Sequence, residues 1–222
     1  MRSNPSHSSE MVNQLLFGDS VEILDSVPEW LKVRSLFDNY EGWVSDKQLR
    51  LMEQPPATDC VLPSDCRILF DGLAVTAPAG ASCSYQWLTE DAIRQTAPSD
   101  PTHVAQQFLG APYLWGGRTS MGIDCSGLVQ VVYKICGITL PRDASQQAGI
   151  GREVAISDAR SGDLAFFSNS NGKIVHVGIV DDDGMILHAS GRVRRDRLDA
   201  KGIVNIETGV YTHSLTSVKR IG

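Results

Sequence analysis

A chain of 222 residues, 42% hydrophobic and 21% charged, has the composition of a globular protein with room for one mid-sized domain and one or two small ones. Its net charge of −6 argues against a nucleic-acid partner, which needs a basic face, and against adhesion to an anionic wall or membrane. No run reaches the length of a membrane-spanning helix, and five irregularly spaced cysteines (Cys60, Cys66, Cys83, Cys125 and Cys136) offer neither a disulfide framework nor a C-x-x-C zinc site.

The first ten residues, Met1-Arg2-Ser3-Asn4-Pro5-Ser6-His7-Ser8-Ser9-Glu10, lack the apolar core of a secretory signal. With the odd cysteine count this predicts a reducing, cytoplasmic setting, or a periplasmic or secreted one where a leader has been removed. Residues 1–52 read as a small β module. Val21-Glu22-Ile23-Leu24, Trp30-Leu31-Lys32-Val33-Arg34 and Gly42-Trp43-Val44 are short alternating strands separated by turn residues. The run Asp38-Asn39-Tyr40-Glu41-Gly42-Trp43-Val44 resembles the last hairpin of bacterial SH3-like domains, with their Tyr-x-Gly-Trp-Val pattern. Any other small β-barrel is the plainer alternative.

A Pro-rich break follows at Gln54-Pro55-Pro56-Ala57. Within residues 53–98, Arg67-Ile68-Leu69-Phe70 and Leu73-Ala74-Val75-Thr76 read as strands joined by an Asp71-Gly72 turn. This stretch is either a second, degenerate SH3-like module or a structured linker.

Residues 99–222 form the third part. Asp100 as cap and Pro101 in the first turn open a helix that runs to about Leu109, closed by Gly110. A second helix is predicted over residues 125–136, with apolar residues at helical spacing and Gly137 at its end. The pattern then becomes extended over residues 163–167, 174–180 and 185–189. Helices followed by a meander of strands indicate an α+β domain.

Asp124 is a natural helix cap, which puts Cys125 in the first turn, where the helix dipole and free N–H groups favour a thiolate and can hold an oxyanion. A buried cysteine at a helix start is the plainer alternative. Two histidines shift the balance. His176 and His188 flank the turn Asp181-Asp182-Asp183-Gly184, and an odd loop there places them directly opposite each other on one face. One imidazole could then orient the other.

Taken together, Ala111-Pro112-Tyr113-Leu114-Trp115-Gly116-Gly117, Asp124-Cys125-Ser126-Gly127-Leu128, Leu140-Pro141-Arg142-Asp143, Gly162-Asp163-Leu164, His176-Val177-Gly178-Ile179 and His188-Ala189 resemble, in order and spacing, the NlpC family of papain-like cell-wall cysteine peptidases. The resemblance covers roughly residues 100–222. It implies a papain-like domain of N-terminal helices packed on an antiparallel sheet. It makes Cys125 the nucleophile, His176 the general base and His188 the orienting residue, with acyl transfer through a thioester and no cofactor or metal. Tyr113 would help at the substrate carbonyl, or pack in the core. Asp124 and Ser126 flank the nucleophile and would touch substrate, unless Asp124 is only the cap. Arg142 and Asp143 match a family pair near the substrate. Arg142 would grip the free α-carboxylate of a γ-linked D-glutamate, or form a surface salt bridge.

An SH3-like module ahead of such a domain resembles the γ-D-glutamyl-L-diamino acid endopeptidases of muropeptide recycling. There the module closes the cleft and binds the free amine of an N-terminal L-alanine through an acid and a tyrosine; Glu10 and Tyr40 are the candidates. The expected partner is a peptidoglycan-derived peptide, with no nucleic acid and no membrane, bound by a monomer. The runner-up is a secreted endopeptidase acting on intact peptidoglycan.

Overall fold

The computed structural model describes residues 1–54, 57–90 and 100–222, so the proposed break at Pro55-Pro56 and the boundary near residue 98 lie outside the described residues. In the N-terminal part, β1 (Val21–Val27), β2 (Trp30–Ser35) and β3 (Glu41–Ser45) form an antiparallel sheet in sequence order. Val33 and Val44 are buried on one face of this sheet and Trp30 on the other, and Arg2 pairs with Trp43 at the sheet edge.

The middle stretch is packed β structure. β4 (Cys60–Val61) pairs with β7 (Ser82–Cys83), and β5 (Cys66–Phe70) pairs with β6 (Leu73–Ala77). The β5–β6 turn is the expected Asp71-Gly72, whose φ angles of 51° and 75° are those of a two-residue hairpin. Leu62, Ile68, Ala77, Ala81 and Cys83 form its core. Phe17, from the N-terminal part, meets Phe70 and Trp87 edge-on beside that core.

The third part opens with α1 (Pro101–Gln106), capped by Asp100, whose carboxylate accepts the Thr102 N–H. The helix stops three residues short of the expected Leu109, because the chain tightens into turns to hand the Gly110 N–H to Val193. A β8 (Arg118–Thr119) and β9 (Gly122–Ile123) hairpin leads into α2 (Cys125–Ile135), the predicted central helix, which Gly137 leaves at φ +80°. A one-turn α3 (Ala144–Gln147) follows.

The sheet holds β10 (Arg152–Val154), β11 (Leu164–Ser168), β12 (Ile174–Asp181), β13 (Met185–Ser190), β14 (Arg192–Leu198), β15 (Gly202–Val204) and β16 (Tyr211–Arg220). It does not stay open. β16 pairs with β15 as well as with β11, so β11 to β16 close into a six-stranded antiparallel barrel with β10 at its side. Alternation along the strands gives two cores. Leu164, Phe166, Val177, Ile179 and Leu187 face outward against α1 and α2. Ala165, Phe167, Val180, Ile186, Leu198, Ile203 and Val218 fill the interior.

The N-terminal part is locked onto this domain by buried polar contacts. Asp19 accepts from Lys134 Nζ at 2.9 Å and Arg118 Nη1 at 3.2 Å, with all three side chains at most 4% exposed. The Phe37 ring lies against both cations, and Asp38 accepts from Gln130.

Candidate active site

Cys125 is the first residue of α2. Asp124 caps the helix through Oδ1, which accepts the Gly127 N–H at 2.7 Å, while Oδ2 accepts the Gly116 N–H at 2.7 Å. Gly127 is required, because a Cβ there would sit 2.3 Å from the Gly117 carbonyl oxygen. The helix start is not the only influence on the thiol. Burial pushes the Cys125 thiol up to about 11, with Asp124 adding to the rise, against the smaller pull of the Val177 and Ser126 amides and Arg142. A base is therefore needed to ionise it near neutral pH.

His176 and His188 are not directly opposite, as the sequence suggested. Asp181 pairs with Met185 and Ile179 with Leu187, so the same register sets Gly178 across from His188 and leaves His176 diagonal to it. Gly178 makes the approach possible, since a Cβ there would come 2.9 Å from the His188 Cβ. The rings meet at 2.9 Å between His176 Nε2 and His188 Nδ1. His188 Nε2 in turn lies 3.0 Å from Asp196 Oδ2, a residue of β14 that the sequence analysis did not single out.

A third histidine, His213 of β16, stacks on His176 with ring centroids 4.1 Å apart and planes at 22°. Burial, then His213 and His188, hold His176 well below the usual imidazole value, and burial brings His213 down to about 4. Both rings are thus neutral at neutral pH. Ligand atoms of the three histidines lie within 4.8 Å of one another. His176 Nε2 and His188 Nδ1 are already engaged with each other at 2.9 Å, and His188 Nε2 with Asp196.

Arg142 is the clearest correction. It is 2% exposed, so it is no surface salt bridge, and its donors are turned to the protein. Its Nη1 donates to Asp124 Oδ1 at 3.0 Å and Ser126 Oγ at 2.8 Å, Nη2 to Asp124 Oδ2 at 2.6 Å, and Nε to Asn13 Oδ1 at 2.8 Å. Four of its five N–H donors are occupied, so no fork is left for a ligand. Asp124 and Ser126 are nearly buried and committed to the same cluster.

The other candidates keep exposed polar groups. The Tyr113 hydroxyl is raised to about 12 by burial first and then by Cys125 and Asp124, so it stays a donor beside the thiol. Asp143 heads α3 with its carboxyl raised by burial, and Tyr40 is raised by burial first and then by Asp143, with Glu10 and Asp124 adding. Glu10 accepts a 2.7 Å hydrogen bond from Trp115 Nε1 of the Tyr113 loop. The structure therefore brings Glu10 of the N-terminal part against the Tyr113 loop and Tyr40 near Asp143.

A helix-start cysteine, a buried histidine pair and an antiparallel barrel packed on that helix are the layout of a papain-like cysteine peptidase. The chain belongs to the NlpC/P60 family, whose profile matches residues 110–220, and a bacterial dipeptidyl-peptidase SH3 domain profile matches residues 1–49. It is thus a hydrolase of the cysteine peptidase kind. Among its relatives is the γ-D-glutamyl-L-lysine dipeptidyl-peptidase of Bacillus subtilis (strain 168), 30% identical, with 93% of this chain and 80% of the relative covered. The enzyme of the same name from Bacillus cereus (strain ATCC 10987 / NRS 248) is 27% identical, with 96% and 76% covered. A crystal structure of an NlpC/P60 family protein from Bacillus cereus ATCC 10987 shares the fold, with a TM-score of 0.73 at 23% identity and 94% and 81% of the two chains covered.

Proposed function

We propose that this chain hydrolyses the γ-D-glutamyl–L-diamino acid bond, the diamino acid being diaminopimelate or lysine, in free peptidoglycan stem peptides with an unblocked N-terminal L-alanine. That is a step of murein peptide recycling. The choice of bond is supported by the two Bacillus relatives, both γ-D-glutamyl-L-lysine dipeptidyl-peptidases. The observation that carries recognition of a free N-terminus is the Glu10–Trp115 hydrogen bond, which fixes a carboxylate of the N-terminal part beside the cleft loop. Tyr40 and Asp143 lie near it. Such acceptors suit an ammonium and not an acylated amine, which has neither the charge nor three donors.

In this reading Cys125 is the nucleophile and His176 its general base. The Sγ–H proton passes to His176 as sulfur attacks the γ-carbonyl carbon, and the N–H groups at the start of α2, with the Tyr113 hydroxyl, face the developing oxyanion. His176 then protonates the leaving amine, the C–N bond breaks, and a thioester remains. Water, deprotonated by His176, attacks the thioester and releases the dipeptide acid and the thiol.

Cys125→Ser should lower turnover at least about a hundredfold without changing the melting temperature, since it removes the thiol and little volume. N-acetylating the alanine should lower kcat/KM about a hundredfold, because the unpaired carboxylate costs about 3 kcal/mol. Glu10→Ala should narrow that gap. Equal kcat/KM for the two peptides would refute recognition of the free end and favour an endopeptidase of intact peptidoglycan.

A further inference from the structure

We propose that Asp196 is the positioning residue that sets the tautomers of His188 and His176, so that His176 turns an Nδ1 lone pair toward the thiol of Cys125. This deepens the reading above and rests on its roles for Cys125 and His176.

Asp196 is 1% exposed, and among the described residues the hydrogen-bonding groups that meet its carboxylate are donors or cations. Oδ2 lies 3.0 Å from His188 Nε2 and 2.8 Å from Arg194 Nε. Oδ1 accepts the Ile206 N–H at 3.0 Å and Arg194 Nη2 at 3.1 Å. Arg194 is itself braced by Glu207. An ionised carboxylate can only accept, so the group facing it must donate. These donors hold the Asp196 carboxyl down to about 2 against its burial, which keeps it ionised at any working pH.

The chain of consequences is short. His188 must carry its proton on Nε2, and in the neutral ring Nδ1 is then an acceptor. The 2.9 Å contact with His176 Nε2 requires one donor, so that proton sits on His176 Nε2. A neutral His176 protonated at Nε2 has its free lone pair on Nδ1, the one ring nitrogen of His176 without a hydrogen-bond partner among the described residues. That is the state a general base needs. When the thiol proton arrives, the S–H bond breaks, an Nδ1–H bond forms and the new imidazolium keeps donating through Nε2 to His188. No proton crosses to Asp196. The carboxylate acts through His188, by fixing the tautomer and stabilising the positive charge.

Asp196→Asn tests this, because the amide places two N–H donors among groups that already donate. With the amide nitrogen toward His188, Nε2 must accept, the proton moves to Nδ1, and His176 is left with an N–H aimed at the sulfur. kcat should fall about a hundredfold or more while KM stays within about threefold, and Asp196→Glu should recover part of the loss. The direct readout is ¹⁵N NMR of histidine-labelled protein near neutral pH, which needs no substrate and no variant. In the wild type, His188 should be pyrrole-like at Nε2 and pyridine-like at Nδ1, and His176 the same. In Asp196→Asn the His188 pattern should invert. A wild-type His188 protonated on both nitrogens, or on Nδ1 alone, would overturn the proposal even if Asp196→Asn failed to fold. A wrong substrate assignment would leave the NMR result untouched, so the two readings fail separately.

Discussion

Replacing Arg142 with Met separates a structural from a ligand-binding role for this side chain. The guanidinium is 2% exposed and faces an Asp124 carboxylate that is itself 5% exposed. Both carboxylate oxygens accept from it, at 3.0 and 2.6 Å. Methionine fills much of the volume but leaves Asp124, among the described residues, with the Gly116 and Gly127 amides and Ser126 as its donors. Stranding one partner of a buried pair costs about 3–5 kcal/mol. In a chain of this size that lowers the melting temperature by roughly 10 °C. The assay is thermal unfolding by calorimetry at pH 7, alongside kcat/KM on the same preparations. Arg142→Lys should fall between, since it keeps the charge but loses the two-pronged geometry. A variant that melts within about 2 °C of wild type, with KM raised and kcat unchanged, would refute this account. It would return Arg142 to the substrate carboxylate.

Two further outcomes follow from the histidines. His176→Ala should lower kcat/KM more than His188→Ala, since in the proposed mechanism one ring moves the proton and the other orients it; the reverse order in steady-state kinetics would mean the base is misassigned. Stability should decline on acidification below pH 6.5. His176 and His213 bind protons less readily folded than unfolded, so the unfolded state takes up protons first and gains as pH falls, until about pH 4 for His213. For His213 this amounts to about 2 kcal/mol once water's access to the ring is allowed for. His213→Gln should therefore flatten melting temperature against pH between about 6.5 and 4. An unchanged slope would show that His213 does not carry the effect.

How much of this was legible beforehand depends on whether the signal was local. Asp124, Gly127 and Gly137 mark the start and end of α2 within one stretch of chain, and Asp71-Gly72 dictates its own turn, so both elements were readable. The histidine pair was visible as a pair but misplaced in detail, since only the register of β12 and β13 shows that Gly178 faces His188. Asp196 was hidden in the basic run Arg192-Val193-Arg194-Arg195-Asp196-Arg197. Counting across the Gly191 turn pairs His188 with Arg194, which brings Asp196 one step diagonal on the same face. Barrel closure was not readable at all. In β16 the register slips between its contacts with Phe166 and Phe167, so inward His213, Leu215 and Val218 do not keep a period of two. The burial of Arg142 was not readable, because its partner Asn13 lies 129 positions away.

The same long-range polar contacts explain how the N-terminal part can serve the site. Asp19 between Arg118 and Lys134, Gln14 accepting the Arg118 N–H, and Asn13 on Arg142 are all directional, and the charged side chains among them are almost fully withdrawn from water. An apolar contact of the same area would hold the parts together about as well, but would tolerate sliding. Hydrogen-bonded ions do not, because a small shift strands a buried charge. Glu10 is three residues before Asn13, and Tyr40 follows Asp38, which Gln130 holds. Each proposed end-recognising group therefore stands within three positions of an anchored polar residue. Under the proposed end recognition, the N-terminal part would set where a bound peptide stops, and the distance from that stop to Cys125 would decide which bond reaches the sulfur.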